Sequence, residues 1–368
     1  MSLLSRVLNI RFPIVQSGMG RVAGPGLAAE VSKAGGLGIL AGLNSSPDVL
    51  RRDIGRIRAL TDAPFGVNLW LLPELQPPVD PSTLQSSDVR AVNAALNRAR
   101  REVSVPESDA APPRRPDWLN DAIEVVLEER VPVWSVGLGL PSADLVARCH
   151  ERGVHVMCMV ANVDDARAAD MAGVDVIVAQ GAEAGGHRSV WRSDARSDVG
   201  TFSLVPEMVD AVRAPVVAAG GVGDGRGLVA ALALGASGVL LGTRFVATKE
   251  SAAPDFWKRA ILESSSDRTT VTRAFTGLPA RVIRNTFQQQ YEQSQAPVLP
   301  GLLQSALEQE MWAAAAKQGN RDYYPLYAGQ SVGVIHDLPG AADVVRAIVD
   351  EAAAIIRGLG AGDWDLDR

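Results

Sequence analysis

The chain has 368 residues, 47% of them hydrophobic, with 35 Gly and 22 Pro, a composition that excludes disordered and fibrous classes and suits a soluble α/β protein. A formal charge of −6 gives no basic field for a phosphate backbone, and only Arg98, Arg100 and Arg101 cluster, so nucleic acid is excluded as a partner. The N-terminus MSLLSRVLNIRFPIV lacks a long apolar segment with a small-residue cleavage site, and no stretch reaches the roughly 20 apolar residues of a membrane span, which predicts a cytoplasmic protein with no membrane partner.

In chain order, short apolar runs begin near positions 14, 37, 65, 132, 155, 175, 215 and 238: PIVQSG, LGILAG, FGVNLW, VPVWSVGLG, HVMCMV, VDVIVAQG, PVVAAGG and GVLLGT. They are apolar almost throughout instead of alternating, as parallel strands covered on both faces are. Amphipathic segments lie between most of them, such as GLAAEVSKAG, ADLVARCHERG, VDDARAADMAG and GRGLVAALALG, each ending in the Gly that commonly follows a helix. Strand and helix alternating at about 20 to 28 residues predict βαβ units, and eight strands fit a closed (β/α)8 TIM barrel; a doubly wound open sheet is the alternative. Such barrels run to roughly 250 residues as one unit and carry insertions, so residues 1–368 are expected to form one domain.

The third repeat is lengthened by an insertion over residues 73–117, with a helix predicted at 88–103 and the Pro-rich stretch ESDAAPPRRPDW. Following a barrel strand, it is either a lid or a surface excursion. After the eighth strand, helices are predicted at 254–264, 298–318 and 340–357, with YYPLYAGQSVG between the last two, giving a C-terminal helical extension over 254–368 packed on the barrel. Cys149 and Cys158 form neither a disulfide framework nor a metal spacing and read as packing residues.

Ligands of a parallel barrel bind at the loops leaving the strand ends. After the seventh strand, in AAGGVGDGRG, Gly220, Gly221 and Gly223 let backbone N–H groups approach an anion, and a helix begins just beyond. After the eighth come Leu241, Gly242, Thr243 and Arg244, completing the position where this architecture holds phosphate. A formal G-x-G-x-x-A match, GLGILA at 36–41, lies inside a predicted strand and is discounted. The sixth strand runs into Gln180-Gly-Ala-Glu-Ala-Gly185-Gly-His187-Arg188, which places the His187 imidazole on a flexible loop at the barrel mouth, able to accept a proton near neutral pH. His150, His155 and His336 read as structural, and no group of residues offers a metal site. Asn68 and Gln180, at the ends of the third and sixth strands, carry amides suited to the edge of a heterocycle or to barrel-end backbone groups.

The stretches PIVQSGMGRVAGPGLAAEVSKAGGLGIL, FGVNLW, AQGAEAGGHR, PVVAAGGVGDGRGLVAALALGASGVLLGTRFVATKES and PLYAGQSVGVI resemble the nitronate monooxygenase family, once called 2-nitropropane dioxygenases. Its relatives include flavin-dependent enoyl-carrier-protein reductases and some quinone reductases. The resemblance implies an FMN-binding barrel in which His187 takes the α-proton of a nitroalkane or lies over the flavin as an acid/base. It also implies that Met19 and Asn68 line the flavin, that Gln180 and Gly185 contact it, and that Gly221, Gly242 and Thr243 hold its phosphate; Gln330 belongs to the matching tail motif without an assigned contact. Such enzymes reduce the flavin with the bound nitronate and then use O2, giving a carbonyl compound and nitrite. Two departures bear on the substrate pocket: Ser189 stands where many relatives have Gly, and the 73–117 insertion is longer than in compact members.

The first functional reading is therefore an FMN-dependent oxidation of nitronates or nitroalkanes, with a small-molecule substrate and O2 as partners. The second is an NAD(P)H-dependent flavin reductase of quinones or enoyl thioesters. A third is a flavin-binding or metabolite-binding protein that keeps the barrel without turnover, and homo-oligomerisation stays open.

Overall fold

The computed structural model describes residues 2–190 and 197–360, so Met1 and residues 361–368 of the expected domain and extension lie outside the described residues. All eight apolar runs form strands: β1 (Ile14–Gln16), β2 (Gly38–Ala41), β3 (Phe65–Leu69), β4 (Val133–Val136), β5 (His155–Val160) and β6 (Val176–Gln180), then, after a two-residue strand β7 (Gly186–His187), β8 (Val216–Ala219) and β9 (Gly238–Leu241). The eight long strands pair in parallel in the order β1-β9-β8-β6-β5-β4-β3-β2. One backbone bridge, Val15 with Leu37, closes the ring between β1 and β2. The fully buried Gln16 side chain completes that seam, accepting from Ile39 N–H and donating to the Ile39 carbonyl, both at 3.1 Å. The chain is a (β/α)8 TIM barrel, not an open sheet.

Around the strands lie α1 (Leu3–Val7), α2 (Pro25–Lys33), α3 (Pro47–Leu60), α4 (Ser86–Glu102), α5 (Leu119–Glu128), α6 (Ala143–Glu151), α7 (Val163–Met171), α8 (Thr201–Ala211), α9 (Gly225–Ala233) and the single turn α10 (Thr243–Val246). Ser46, Ser142 and Asn162 cap α3, α6 and α7 by accepting from backbone N–H groups of the first turn. The four helices expected to stop at Gly do so, at Gly35, Gly153, Gly173 and Gly235, each with φ between 72° and 97°. Inward-facing residues including Val15, Ile39, Val133, Met157, Val178 and Val217 form one apolar cluster, and Leu4, Leu8 and Ile10 join it from the chain start. The outward faces of the strands belong to a second, larger cluster with the helices. Helix α2 approaches β2 so closely that a Cβ on Gly38 would lie 1.9 Å from the Ala28 carbonyl oxygen.

The insertion carries α4 where a helix is predicted, and its buried Arg100 ties it to the rest of the fold. Arg100 donates to Asn93 Oδ1, Asn97 Oδ1 and the Ser108 carbonyl within the insertion, and to the Leu307 carbonyl of the C-terminal extension at 3.1 Å. That extension holds α11 (Asp255–Leu262), α12 (Thr286–Ser294), α13 (Leu303–Gln318) and α14 (Ala341–Gly360). It is not purely helical, as the sequence led us to expect: β10 (Thr269–Thr272) and β11 (Ala280–Ile283) form an antiparallel hairpin, and β11 pairs with β7. TTVT and ARVI are four residues long and half polar, too short and mixed for the apolar-run pattern to register them.

Cys149 and Cys158 are free and buried, and burial pushes their thiols up to about 11 and about 12, so both stay un-ionised at neutral pH. His150 and His155 both contact the carboxylate of Asp175, at 2.9 and 3.4 Å. Among the described residues no helix is long and apolar enough to cross a membrane.

Candidate active site

A cavity of about 640 Å³ opens at the C-terminal ends of the barrel strands, within the size range of cofactor and substrate pockets. Met19, Asn68, Gln180, Gly185, His187, Gly221, Gly242 and Thr243 all line it. Gly223 does not: a Cβ there would lie 2.6 Å from Val334 Cγ2, so this glycine makes room for the C-terminal tail. The N-terminus of α9 is also unavailable to an anion. Gly225 N–H donates to Glu351 at 2.7 Å, and Arg226 and Gly227 N–H donate to Asp224 Oδ1, so two carboxylates already satisfy it. Of the loop residues after the seventh and eighth long strands, Gly220, Gly221, Gly242 and Thr243 line the cavity. A Cβ on Gly242 would meet nothing closer than Met19 Sδ at 3.5 Å, so its bareness leaves cavity space and is not demanded by packing.

The sequence places His187 on a flexible loop, but it sits in β7, paired across to Ala280 of β11. A hairpin from the C-terminal extension thus fixes the segment that the glycines alone suggested was mobile. The imidazole is half-buried, with Trp70 edge-on at 4.8 Å between ring centroids and Tyr327 tilted at 5.5 Å. Its Nε2 lies 3.0 Å from Thr276 Oγ1. Desolvation pushes the His187 pKa down to about 4, so the ring is neutral at pH 7. Trp70, Thr276 and Tyr327 went unread as site residues; Trp70 and Tyr327 lie inside FGVNLW and PLYAGQSVG, and only Thr276 falls in a stretch with no sequence signal.

Gln180 faces the cavity, but both ends of its amide serve the chain. Nε2 donates to the His187 carbonyl at 2.9 Å and Oε1 accepts from Ser189 N–H at 2.8 Å. It therefore anchors the residues on either side of Arg188, the second of the two uses that its chemistry left open. Ser189 does not line the cavity; its fully buried hydroxyl lies within reach of the carbonyls of Gly137 and Met159, at the ends of β4 and β5. The serine thus alters a barrel seam and leaves the pocket wall untouched. Asn68 donates from Nδ2 to the Ser135 carbonyl at 3.0 Å, which orients its amide beside the cavity.

The tail motif is a clamp. Gly185 and Gly329 lie back to back, a Cβ on the former falling 2.4 Å from Gly329 N and one on the latter 2.6 Å from the Glu183 carbonyl oxygen. Gly329 N–H donates to Thr243 Oγ1 at 2.9 Å, and Gln330 N–H donates to the Glu183 carbonyl at 2.9 Å. The contact that the sequence could not assign to Gln330 is therefore a backbone one.

The cavity wall is cationic although the chain is acidic. Arg21, Arg114 and Arg115 line it, and Glu183 is the one carboxylate among the described lining residues. Glu183 accepts from Thr201 N–H and Oγ1 at 2.8 and 2.9 Å, so it is already engaged. Arg21 adopts a left-handed backbone, φ 63°, and stacks its guanidinium 4.8 Å from the Trp312 ring centroid.

The family described as nitronate monooxygenase matches residues 1–351. A probable nitronate monooxygenase of Staphylococcus saprophyticus is 36% identical over 362 residues, which cover 97% of this chain and 99% of that protein. Among solved structures, a nitroalkane oxidase from Streptomyces ansochromogenes superposes with a TM-score of 0.87 at 35% identity, covering 97% of this chain and 99% of its own. FabK from Thermotoga maritima gives 0.77 at 32% identity, with 98% of each chain covered.

Proposed function

The chain belongs to the nitronate monooxygenase family of flavin-dependent oxidoreductases, and on that premise we propose that it uses FMN and O2 to oxidise nitronates and nitroalkanes to a carbonyl compound and nitrite. One observation carries the reading: Gly220, Gly221, Gly242 and Thr243, at the strand ends where a parallel barrel binds phosphate, share a single cavity with a neutral imidazole. A bound flavin supplies electron acceptance from the substrate and their delivery to O2. The chain holds that cofactor and manages the proton. Thr243 Oγ1 accepts from Gly329 N–H, so its own hydrogen would be available to a cofactor phosphate, together with the backbone N–H groups of Gly220, Gly221 and Gly242. Met19, Asn68 and Gly185, which line the cavity, would contact a bound flavin. His187 removes the α-proton of a neutral nitroalkane: the C–H bond breaks, its electron pair moves into the nitro group, and the proton ends on the imidazole.

A second reading, an NAD(P)H-dependent flavin reductase of quinones or enoyl thioesters, is favoured by Arg114 and Arg115 at the cavity wall, which suit the phosphates of a dinucleotide or a thioester carrier. Anaerobic mixing separates the two. A nitronate should bleach the flavin absorbance and NADH should leave it; bleaching by NADH alone transfers the case to the reductase.

The cationic wall makes a further prediction, because a nitronate is an anion and a nitroalkane is not. Electrostatic steering falls with ionic strength, so kcat/KM for a nitronate should drop several-fold between low salt and about 0.5 M, while that for the neutral nitroalkane stays level. Arg115→Met should flatten the nitronate slope. Equal slopes for both substrates would show that the arginines do not attract it.

A further inference from the structure

We propose that Thr276 is the positioning residue for His187, accepting from Nε2–H and so leaving the lone pair on Nδ1, the nitrogen that takes the substrate proton. The inference rests on the base role given to His187 above and adds which nitrogen acts and what selects it.

The geometry is set by backbone, not by long side chains. His187 is fixed in β7 against Ala280 of β11, and Thr276 sits in the turn between β10 and β11, next to Gly277 at φ 80°. Thr276 is buried, and its Oγ1 lies 3.0 Å from Nε2. A neutral imidazole has one N–H, so the tautomer depends on whether Thr276 donates to Nε2 or accepts from it. The hydroxyl has one hydrogen and a competing acceptor, the Leu278 carbonyl at 3.3 Å, while Leu278 N–H approaches the same oxygen at 3.4 Å. With the hydrogen turned to Leu278, Oγ1 offers only lone pairs to the ring, and Nε2 must carry the proton. Trp70 and Tyr327 hold the ring on two sides, so it cannot swing to exchange its nitrogens. Among the described residues no hydrogen bond reaches Nδ1, and His187 lines the cavity.

On abstraction, the C–H bond breaks, its electrons enter the nitro group, and Nδ1 gains the proton. The imidazolium formed still donates from Nε2 to Thr276, which stabilises the charge at the moment it appears. Among the described residues, the ionisable groups around the ring are Tyr327 from the tail, Arg188 next in sequence, Arg281 on β11 and Glu183 across the cavity. Thr276 contributes no charge; it acts by selecting the tautomer and by accepting from the imidazolium that forms.

Histidine 15N NMR of the flavin-loaded protein reads this directly, with the His187 signals assigned by their loss in His187→Asn. We expect an Nε2–H tautomer in the wild type, retained in Thr276→Ser and lost or mixed in the isosteric Thr276→Val. In turnover, Thr276→Val should lower kcat/KM for a neutral nitroalkane about tenfold and move the apparent pKa of that profile down, while nitronate oxidation changes by less than about twofold and Thr276→Ser restores the wild-type values. An Nδ1–H tautomer in the wild type, or a Thr276→Val protein with unchanged spectrum and pH profile, overturns the assignment. A wild-type protein that oxidises no nitro compound sinks the proposed function instead, and the NMR result still decides the role of Thr276.

Discussion

His187→Asn is expected to lower kcat/KM for a neutral nitroalkane by about 10² to 10⁴, while the flavin spectrum persists and a preformed nitronate loses less than about tenfold. Asparagine keeps the size and polarity of the site but has no nitrogen that can take a proton. The two substrates differ by that one proton, so the ratio of their losses isolates the base from any general damage to the pocket. pH offers a second handle with a defined sign. Burial holds the His187 pKa at about 4, so the ring is already a free base at neutral pH, and its contribution should disappear only as pH falls through that value. The same shift has a stability counterpart. An unfolded histidine titrates near about 6.5, so between there and about 4 the unfolded chain takes up a proton that the folded chain refuses. The wild type should lose stability across that window as pH falls, and His187→Asn should lose less, as thermal unfolding at several pH values would show. Equal nitroalkane rates in the two proteins would remove His187 from the mechanism.

The barrel was legible because its strands are buried on both faces and thus read as apolar runs, and because positive-φ glycines mark the ends of four helices. That Gly221, Gly242 and Thr243 would line the cavity was legible for a different reason. Gly221, Gly242 and Thr243 follow the seventh and eighth strands, where a parallel barrel places its anion site, so position alone nominated them. Gly223 looked the same in sequence, and only the tail packing against it distinguishes it. The hairpin of β10 and β11 left no pattern, since TTVT and ARVI are four residues long and half polar, although Ala280, Val282 and Ile283 are buried. As a result the sequence put His187 on a flexible loop where the fold pairs it with β11, and Thr276 could not be found. Gln180 shows the limit of residue chemistry: an amide can serve a flavin or the backbone, and only the partners at 2.8 and 2.9 Å decide which.

The tail clamp leads to the second large effect, in Gly185→Ala. The added methyl would fall 2.4 Å from Gly329 N and 2.5 Å from the Ala328 carbonyl carbon, both backbone atoms that cannot rotate aside. Relief requires the tail to lift, which breaks the donation of Gly329 N–H to Thr243 and of Gln330 N–H to Glu183. Thr243 would then be free to turn from the cavity, and the loop carrying Glu183 would lose its anchor. Overpacking of this kind costs about 1–3 kcal/mol before those hydrogen bonds are counted. FMN affinity is therefore expected to fall by about a hundredfold or more, together with the unfolding temperature. Gly153→Ala, away from the cavity, is the control. Its added methyl meets nothing within 4 Å, so the cost there is only the left-handed backbone at φ 72°, roughly 1–2 kcal/mol, with the clamp intact. Titration of FMN into both apo-proteins should separate them, with Gly153→Ala close to the wild type. Similar affinities in the two variants would mean that the tail closes the fold without holding the cofactor site.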